Sequence, residues 1–318
     1  VAVNKSLKEI LKSSKKALLI GIGGGGDIVG TIPTADLLEM FDIECIFGGL
    51  SWERFTYDPV PGPRRFHETE NVRKLNDVVW FANKHSVAQS GARFAEAGFA
   101  EVIGRETLLV GIDSGPQAVA DGILDAAQKL GADLVIGVDV GGDVIAQGHE
   151  PGLMSPLADS IMTAAFARLE NEISSIIGLF GYGSDGELTL DELEASIKVK
   201  LKTGGVLGSW GITHDALARL EEVIAVVPTE ASRLPVDFFK GEFEKTSIRN
   251  GTRPVSLSIS STVTFYFSPS TLFENSQLAR AISKCKTIED ANDALHLLNI
   301  RTELDLERDL YREKSKNS

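Results

Sequence analysis

Short apolar runs that stop in a glycine-rich, acid-bearing turn and give way to a helical period recur four times along this chain. The first copy is ALLIGIGGGGDIVGTIPTADLLEMF, which predicts a buried strand over 17–22 and a helix soon after the glycines. The second, TLLVGIDSGPQAVADGILDAAQKLGA, predicts a strand at 107–112, a turn at 113–116 and a helix ending near Gly131. The third, DLVIGVDVGGDVIAQGHE, follows at once, and the fourth is SSIIGLFGYGSDGELTLDELEASIKVKL. Further strands are expected at 43–47 and 223–227. RPVSLSISSTVTFYFSP differs, because its β-branched and aromatic residues alternate with serine and threonine. That period of two predicts a half-exposed antiparallel strand or hairpin, at a sheet edge or in a small C-terminal subdomain. Two helical patterns between 278 and 310 lead into the charged tail REKSKNS, which is expected to fray.

Continuous apolar strands alternating with helices imply a mainly parallel sheet covered on both faces, since only there are both strand faces buried. The fold class expected is α/β, a doubly wound, Rossmann-like three-layer sandwich with a C-terminal antiparallel hairpin or edge and terminal helices. Residues 1–250 would form the α/β domain, and residues 251–318 would pack on that same domain.

Composition adds limits. The chain has 318 residues, 43% apolar and 24% charged, enough of each for a large core and a solvated surface. A formal charge of −13 repels nucleic acid and anionic membrane surfaces, so neither is an expected partner. The apolar run at 17–22 is far shorter than the roughly 20 residues of a membrane span and lacks a cleavage site, so neither anchor nor signal peptide is expected. A chain opening at Val1 in place of methionine is expected to be processed or trimmed. Cys45 and Cys285 lie far apart with no C-x-x-C spacing, which fits a reducing, cytoplasmic setting.

In a parallel sheet every strand-to-helix turn emerges at the carboxyl edge, where the ligand crevice lies. The turns GGGGDIVG and DVGGDVIA each place an aspartate directly after a glycine pair. Backbone N–H groups of Gly23, Gly24, Gly25 and Gly26 are therefore expected to converge on an anion, as at a phosphate site. Gly21, Gly23 and Gly26 also satisfy G-x-G-x-x-G, but the dinucleotide reading needs an acid at the end of the next strand, where Phe47, Gly48 and Gly49 stand. Glu44 and Glu53 miss that place.

Asp27 beside such a cradle competes with an anionic ligand, and a divalent cation resolves the conflict. Asp27, Asp139, Asp143, Asp185 and Glu187 are the expected metal ligands, hard oxygens suited to Mg²⁺ shared with a substrate phosphate. Each aspartate also has a purely local use, in an Asx turn or a helix cap. Ser155 and Pro156 open a helix as N-cap and first residue, leaving Asp159 and Thr163 as a polar strip that faces either the cleft or solvent. His149, in the loop before it, is the histidine expected to act as acid or base. Asp27, Asp143, His149 and Asp185 are thus the catalytic candidates.

The long proline-spaced segment GGLSWERFTYDPVPGPRRF is expected to be an irregular lid, with Arg54, Arg64 and Arg65 as anion-recognising forks. Thr229 and Glu230 in VPTEAS are expected to line the same crevice as substrate-binding residues. GYGSDGELTLDE imitates a calcium loop but has glycine at its first and third places, so Thr189 and Glu192 are read as a capping box. No nucleophile elbow, P-loop or zincin motif occurs.

With IGGGGDIVG, GGLSWERF, DPVPGPR, GVDVGGDV, EPGLMSPLAD, GSDGELTLDE and VPTEAS in this order, the chain resembles the uncharacterised archaeal and actinobacterial family called domain of unknown function 1152. The resemblance spans about residues 15 to 270 and implies kinship without an activity. The function expected from the residues is a Mg²⁺-dependent enzyme acting on a small phosphorylated or otherwise anionic metabolite or nucleotide, by phosphoryl transfer or hydrolysis. A Rossmann-like enzyme using NAD or S-adenosylmethionine and a non-catalytic metabolite sensor are the alternatives. A homo-oligomer is left open.

Overall fold

The structure is a computed structural model that describes residues 6–242, 246–249 and 251–316. Its strands are β1 (Lys16–Gly21), β2 (Glu44–Leu50), β3 (Thr69–Lys74), β4 (Val79–Ala88), β5 (Thr107–Val110), β6 (Leu134–Val140), β7 (Ser174–Phe180), β8 (Val206–Gly211), β9 (Thr246–Ile248), β10 (Arg253–Val255) and β11 (Val263–Phe267). The first helices are α1 (Leu7–Ser13), α2 (Ile32–Glu39), α3 (Ala95–Ile103), α4 (Gly115–Leu130), α5 (Pro156–Leu169) and α6 (Leu190–Lys202). They are followed by α7 (His214–Ile224), α8 (Arg233–Phe239), α9 (Pro269–Asn275), α10 (Gln277–Ile282), α11 (Ile288–His296) and α12 (Glu303–Lys316).

Nine strands form one sheet in the order β3-β4-β5-β2-β1-β6-β7-β11-β8. Its centre, β5-β2-β1-β6-β7, is parallel throughout. Taken in chain order these five strands run 3-2-1-4-5, the doubly wound arrangement, so the winding reverses between β1 and β6. Alternation decides the two faces. Leu18, Ile20 and Ile22 join the core under α4 and α5, whereas Ala17 and Leu19 join the one under α2 and α7. All seven residues of β6 are buried, as a central parallel strand requires.

The flanks are antiparallel. The β3–β4 hairpin extends the sheet beside β5. On the other side β11 pairs with both β7 and β8, so the serine-rich strand expected at an edge is second from it, and β8 takes the edge. β9 and β10 form a separate two-stranded sheet. The strand expected at 223–227 is absent, because Val223 continues the buried series Ala216, Leu220 and Val223 of α7, capped by Thr213. There the helical period outweighs the local run of β-branched residues. The tail expected to fray is helical as far as Lys316, while Asn317 and Ser318 lie outside the described residues.

α5 is the central helix. The sheet lies on one side, and α4 with the C-terminal α9, α10 and α11 covers the rest, so even Asp159 and Thr163 are buried. Among the described residues no helix is long and apolar enough to cross a membrane.

Gly30 shows how closely the switch point is packed, since a methyl group there would overlap Val140 and press on Phe180. Gly30→Ala is expected to destabilise the protein by about 1–3 kcal/mol. The urea midpoint measures this, and an unchanged midpoint contradicts the packing argument.

Candidate functional site

The two glycine–aspartate turns fold alike. Gly26 (φ 110°) and Gly142 (φ 137°) each adopt a backbone that L side chains avoid, and each is followed by an aspartate that opens a short 3-10 turn, Asp27–Thr31 and Asp143–Ile145. The first turn follows β1 and the second follows β6, so both lie where the winding reverses. Asp139, at the end of β6, joins them.

The N–H groups expected to hold a phosphate are partly committed within the protein. Asp27 Oδ2 accepts from Gly23 N (2.9 Å) and Val140 N (3.2 Å), and Gly25 N donates to the Trp52 carbonyl (2.9 Å). The same economy recurs nearby. Glu303, reaching over from α12, accepts from Ala158 N (2.8 Å) and Leu157 N (3.0 Å) at the N-terminus of α5. Glu187 accepts from Met154 N (2.7 Å) and Ser155 N (2.9 Å). Backbone donors that suit an anionic ligand hold the protein's own carboxylates instead.

These carboxylates converge. One oxygen from each of Asp139, Asp143 and Asp159 lies within 4.8 Å of the others, and so does one from each of Asp143, Asp185 and Glu187. Asp159 (2% exposed) has no hydrogen-bond partner among the described residues for either carboxylate oxygen, nor has Thr163 Oγ1 one turn beyond it, and Asp139 (1% exposed) has only Asp143 and the Val144 N–H beside it, outside full hydrogen-bond geometry. Burial, reinforced by mutual repulsion, raises Asp139, Asp143 and Asp159 well above the usual carboxylate range. Burial also pushes Asp27, Asp185 and Glu303 up to about 7.

Glu187 behaves differently. Burial alone would raise it, but Arg253 Nη1 at 2.8 Å, the Ser155 hydroxyl and the Met154 N–H together lower it. Ser155 stands at the N-cap position of α5 as expected, yet its hydroxyl does not cap the helix. It donates to Glu187 Oε1 at 2.5 Å, with Asp143 Oδ2 at 3.2 Å.

A cavity of about 340 Å³ meets this cluster at Asp185 and is lined also by Asp27, Ser155, Thr229, Glu230 and Arg54, with Asp139, Asp143 and Asp159 behind its wall. Burial would lower Arg54, but Asp27, Glu187, Asp143 and Glu303 more than offset it and hold the guanidinium charged. Arg249 lines the same cavity, and burial together with the neighbouring Arg54 and Arg253 lowers it to about 10. The cavity therefore joins acidic groups to two arginines, with Arg253 close behind Arg249.

Three expected site residues fall elsewhere. The His149 side chain is exposed, and its backbone N–H donates to Glu150, whose carboxylate ties together the loop 147–150. Arg64 is a loop clasp, paired with buried Asp58 (3.3 Å) and donating to the carbonyls of Val60, Pro61 and Gly62. Arg65 is 58% exposed and pairs with Asp113 at 3.3 Å. Of this segment's arginines only Arg54 lines the cavity, beside Phe55, Thr56 and Tyr57, because the carbonyls of Val60, Pro61 and Gly62 hold Arg64 in the folded-back loop. Conversely, Glu303, Arg249 and Arg253 were not legible in advance. They come from segments without glycine–acid turns, and Glu303 looks like an ordinary first-turn residue of a polar helix.

A family model described as "Protein of unknown function (DUF1152)" matches residues 18–311, and the chain belongs to that family. The match runs past the quoted motifs and takes in the C-terminal helices as far as Tyr311. No curated protein and no solved structure matches the chain.

The raised carboxyls set a pH dependence. Asp27, Asp185 and Glu303 ionise near 7 in the folded chain, against ordinary values of 3.8 and 4.5, so the folded state binds the extra protons. Their stabilising contribution is complete below about pH 4 and is lost as pH rises through about 7. Chelator-treated protein is thus expected to melt at a lower temperature at pH 8 than at pH 5. A melting temperature independent of pH contradicts this.

Proposed function

We propose that this member of the family is a divalent-cation-dependent enzyme acting on a small anionic metabolite, by phosphoryl transfer or phosphate-ester hydrolysis. One observation carries the reading: both carboxylate oxygens of Asp159 are buried without any hydrogen-bond partner among the described residues, and those of Asp139 have only Asp143 and the Val144 N–H beside them, outside full hydrogen-bond geometry. Burying such groups bare costs several kcal/mol each, and a hard cation offsets that cost directly. The donor set, all oxygen and all carboxylate, suits Mg²⁺ or Mn²⁺ and does not favour zinc.

Asp139, Asp143 and Asp159 would hold the ion, with Asp185 close to Asp143 and Glu187 kept in place by Arg253. When bound, the ion supplies charge neutralisation at phosphate oxygens and acidifies a coordinated water. Arg54 and Arg249, which line the cavity beside the acids, receive the anionic group. Asp27 lines the cavity, ionises near neutrality and is fixed by two N–H groups, which suits a general base. Thr229 and Glu230 contribute polar contacts at the rim. The phosphate is held by cationic side chains and metal, because Asp27 already engages the Gly23 N–H. That donor count also argues against NAD or S-adenosylmethionine, which the strand order by itself would suit. A cytoplasmic setting belongs to the same proposal and is supported by two unpaired cysteines.

Asp139→Asn and Asp159→Asn are expected to weaken Mn²⁺ binding at least about tenfold, the effect of losing even an outer-shell partner. In the metal-free protein both are expected to raise the melting temperature by relieving repulsion. Titration calorimetry with Mn²⁺ and thermal melts in chelator measure the two effects. Mn²⁺ binding that survives both substitutions overturns the metal assignment. Tight binding of phosphate esters with no turnover would favour a sensor over an enzyme.

A further inference from the structure

A second cavity of about 390 Å³ lies beside the first and shares Thr56 and Tyr57 with it. It lies past the end of β2, between the segment that follows this strand and the start of α3. Its walls differ from those of the acidic site. Ala92, Phe94, Gly98, Val226 and Val227 give it small apolar surfaces with room for a flat ring. Glu53 interrupts them. It is 6% exposed, and its Oε1 accepts from Ala95 N at 2.6 Å. Its Oε2 makes no hydrogen bond among the described residues.

A substrate with only an anionic head would leave this space unfilled. One with an alkyl tail would bury the unpaired Glu53 oxygen against carbon, which costs free energy without return. A ring system carrying N–H or O–H groups satisfies both the apolar walls and the acceptor. In doubly wound sheets the sugar and base of a nucleotide cross from the switch point toward the end of the second strand, the direction in which this cavity lies from Asp27 and Asp139.

We propose that this cavity is a nucleoside subsite and that the substrate is a nucleoside 5′-phosphate. The phosphate meets Arg54, Arg249 and the metal-binding aspartates, while the ribose or base donates to Glu53 Oε2. This deepens the metal-dependent reading and rests on it for the phosphate end alone. Glu53 thereby takes the role of the acid that the glycine motif lacked at Phe47, Gly48 and Gly49, from a position a few residues further along the chain.

Titration calorimetry on the full chain, with and without Mg²⁺, compares adenosine and guanosine 5′-monophosphates with inorganic phosphate, ribose 5-phosphate, geranyl phosphate and the free nucleosides. At least one nucleoside monophosphate is expected to bind about tenfold or more tightly than ribose 5-phosphate. Because burial raises the Glu53 carboxyl to about 7, at pH 8, where it is ionised, Glu53→Gln is expected to remove about tenfold of that preference, the worth of one hydrogen bond to a charged group, leaving phosphate and Mg²⁺ binding unchanged. Val226→Ala, at a partly exposed position that lines only the second cavity, provides a second variant that should fold and should likewise weaken only the nucleotide. Nucleoside binding that persists without Mg²⁺ while Mg²⁺ itself fails to bind would support this subsite and sink the metal-dependent reading. Equal affinity for ribose 5-phosphate and the nucleotides, or preference for geranyl phosphate, overturns the subsite even if Mg²⁺ binds.

Discussion

Six carboxylates, Asp27, Asp139, Asp143, Asp159, Asp185 and Glu187, are held out of water where the winding of the sheet reverses, and much of the local structure answers to that charge. Bare, such a group is untenable: each buried carboxylate either takes up a proton, finds a donor or shares a cation. The chain uses all three routes. Asp27 and Glu187 take backbone N–H donors, Glu187 adds Arg253, and Arg54 stands among four of the surrounding acids. Asp159 is left with no donor among the described residues, and Asp139 with only Asp143 and the Val144 N–H beside it.

The parallel sheet makes this concentration possible. Neighbouring strands of the same sense deliver their following turns to one edge, so residues more than a hundred positions apart, such as Asp27 and Asp139, become neighbours. Glycine permits the approach at Gly141, which has φ 122°. A Cβ there would occupy the place of the Asp185 side chain, and the same backbone turn would be strained in any other residue. Helix α5 closes the arrangement. Covered along most of its length, it carries Asp159 and Thr163 into the buried interior.

Chemically, the same donors cannot serve twice. An N–H group that fixes a carboxylate is unavailable to a phosphate, and a site organised in this way is built first to receive positive charge. Any anion must then come with a cation or meet the arginines. Arg54 and Arg249 in the cavity lining, with Arg253 beside Arg249, supply that second half, so that in the proposed function charge complementarity would pass from protein to metal to substrate.

The glycine turns, the apolar strands and the buried run of β6 could be read from the chain because they depend on local chemistry: positive φ needs glycine, and a strand covered on both faces needs continuous apolar residues. Those rules were enough for the doubly wound class and for the carboxyl edge as the place of Asp27, Asp139, Asp143 and Asp185. They failed at 223–227, where a helical face and a strand share the same residues, and at Arg64 and Arg65, where a proline-spaced segment offers several arginines and only its folded path selects Arg54. Glu303, Arg249 and Arg253 belong wholly to the tertiary structure, since their contacts join segments distant in sequence and no local period marks them. The chain by itself determined which turns would carry acid to the sheet edge; the packing of α5 and α12 decided which of those acids are stripped of water and partners, because desolvation depends on everything that surrounds a group and not on its neighbours along the chain.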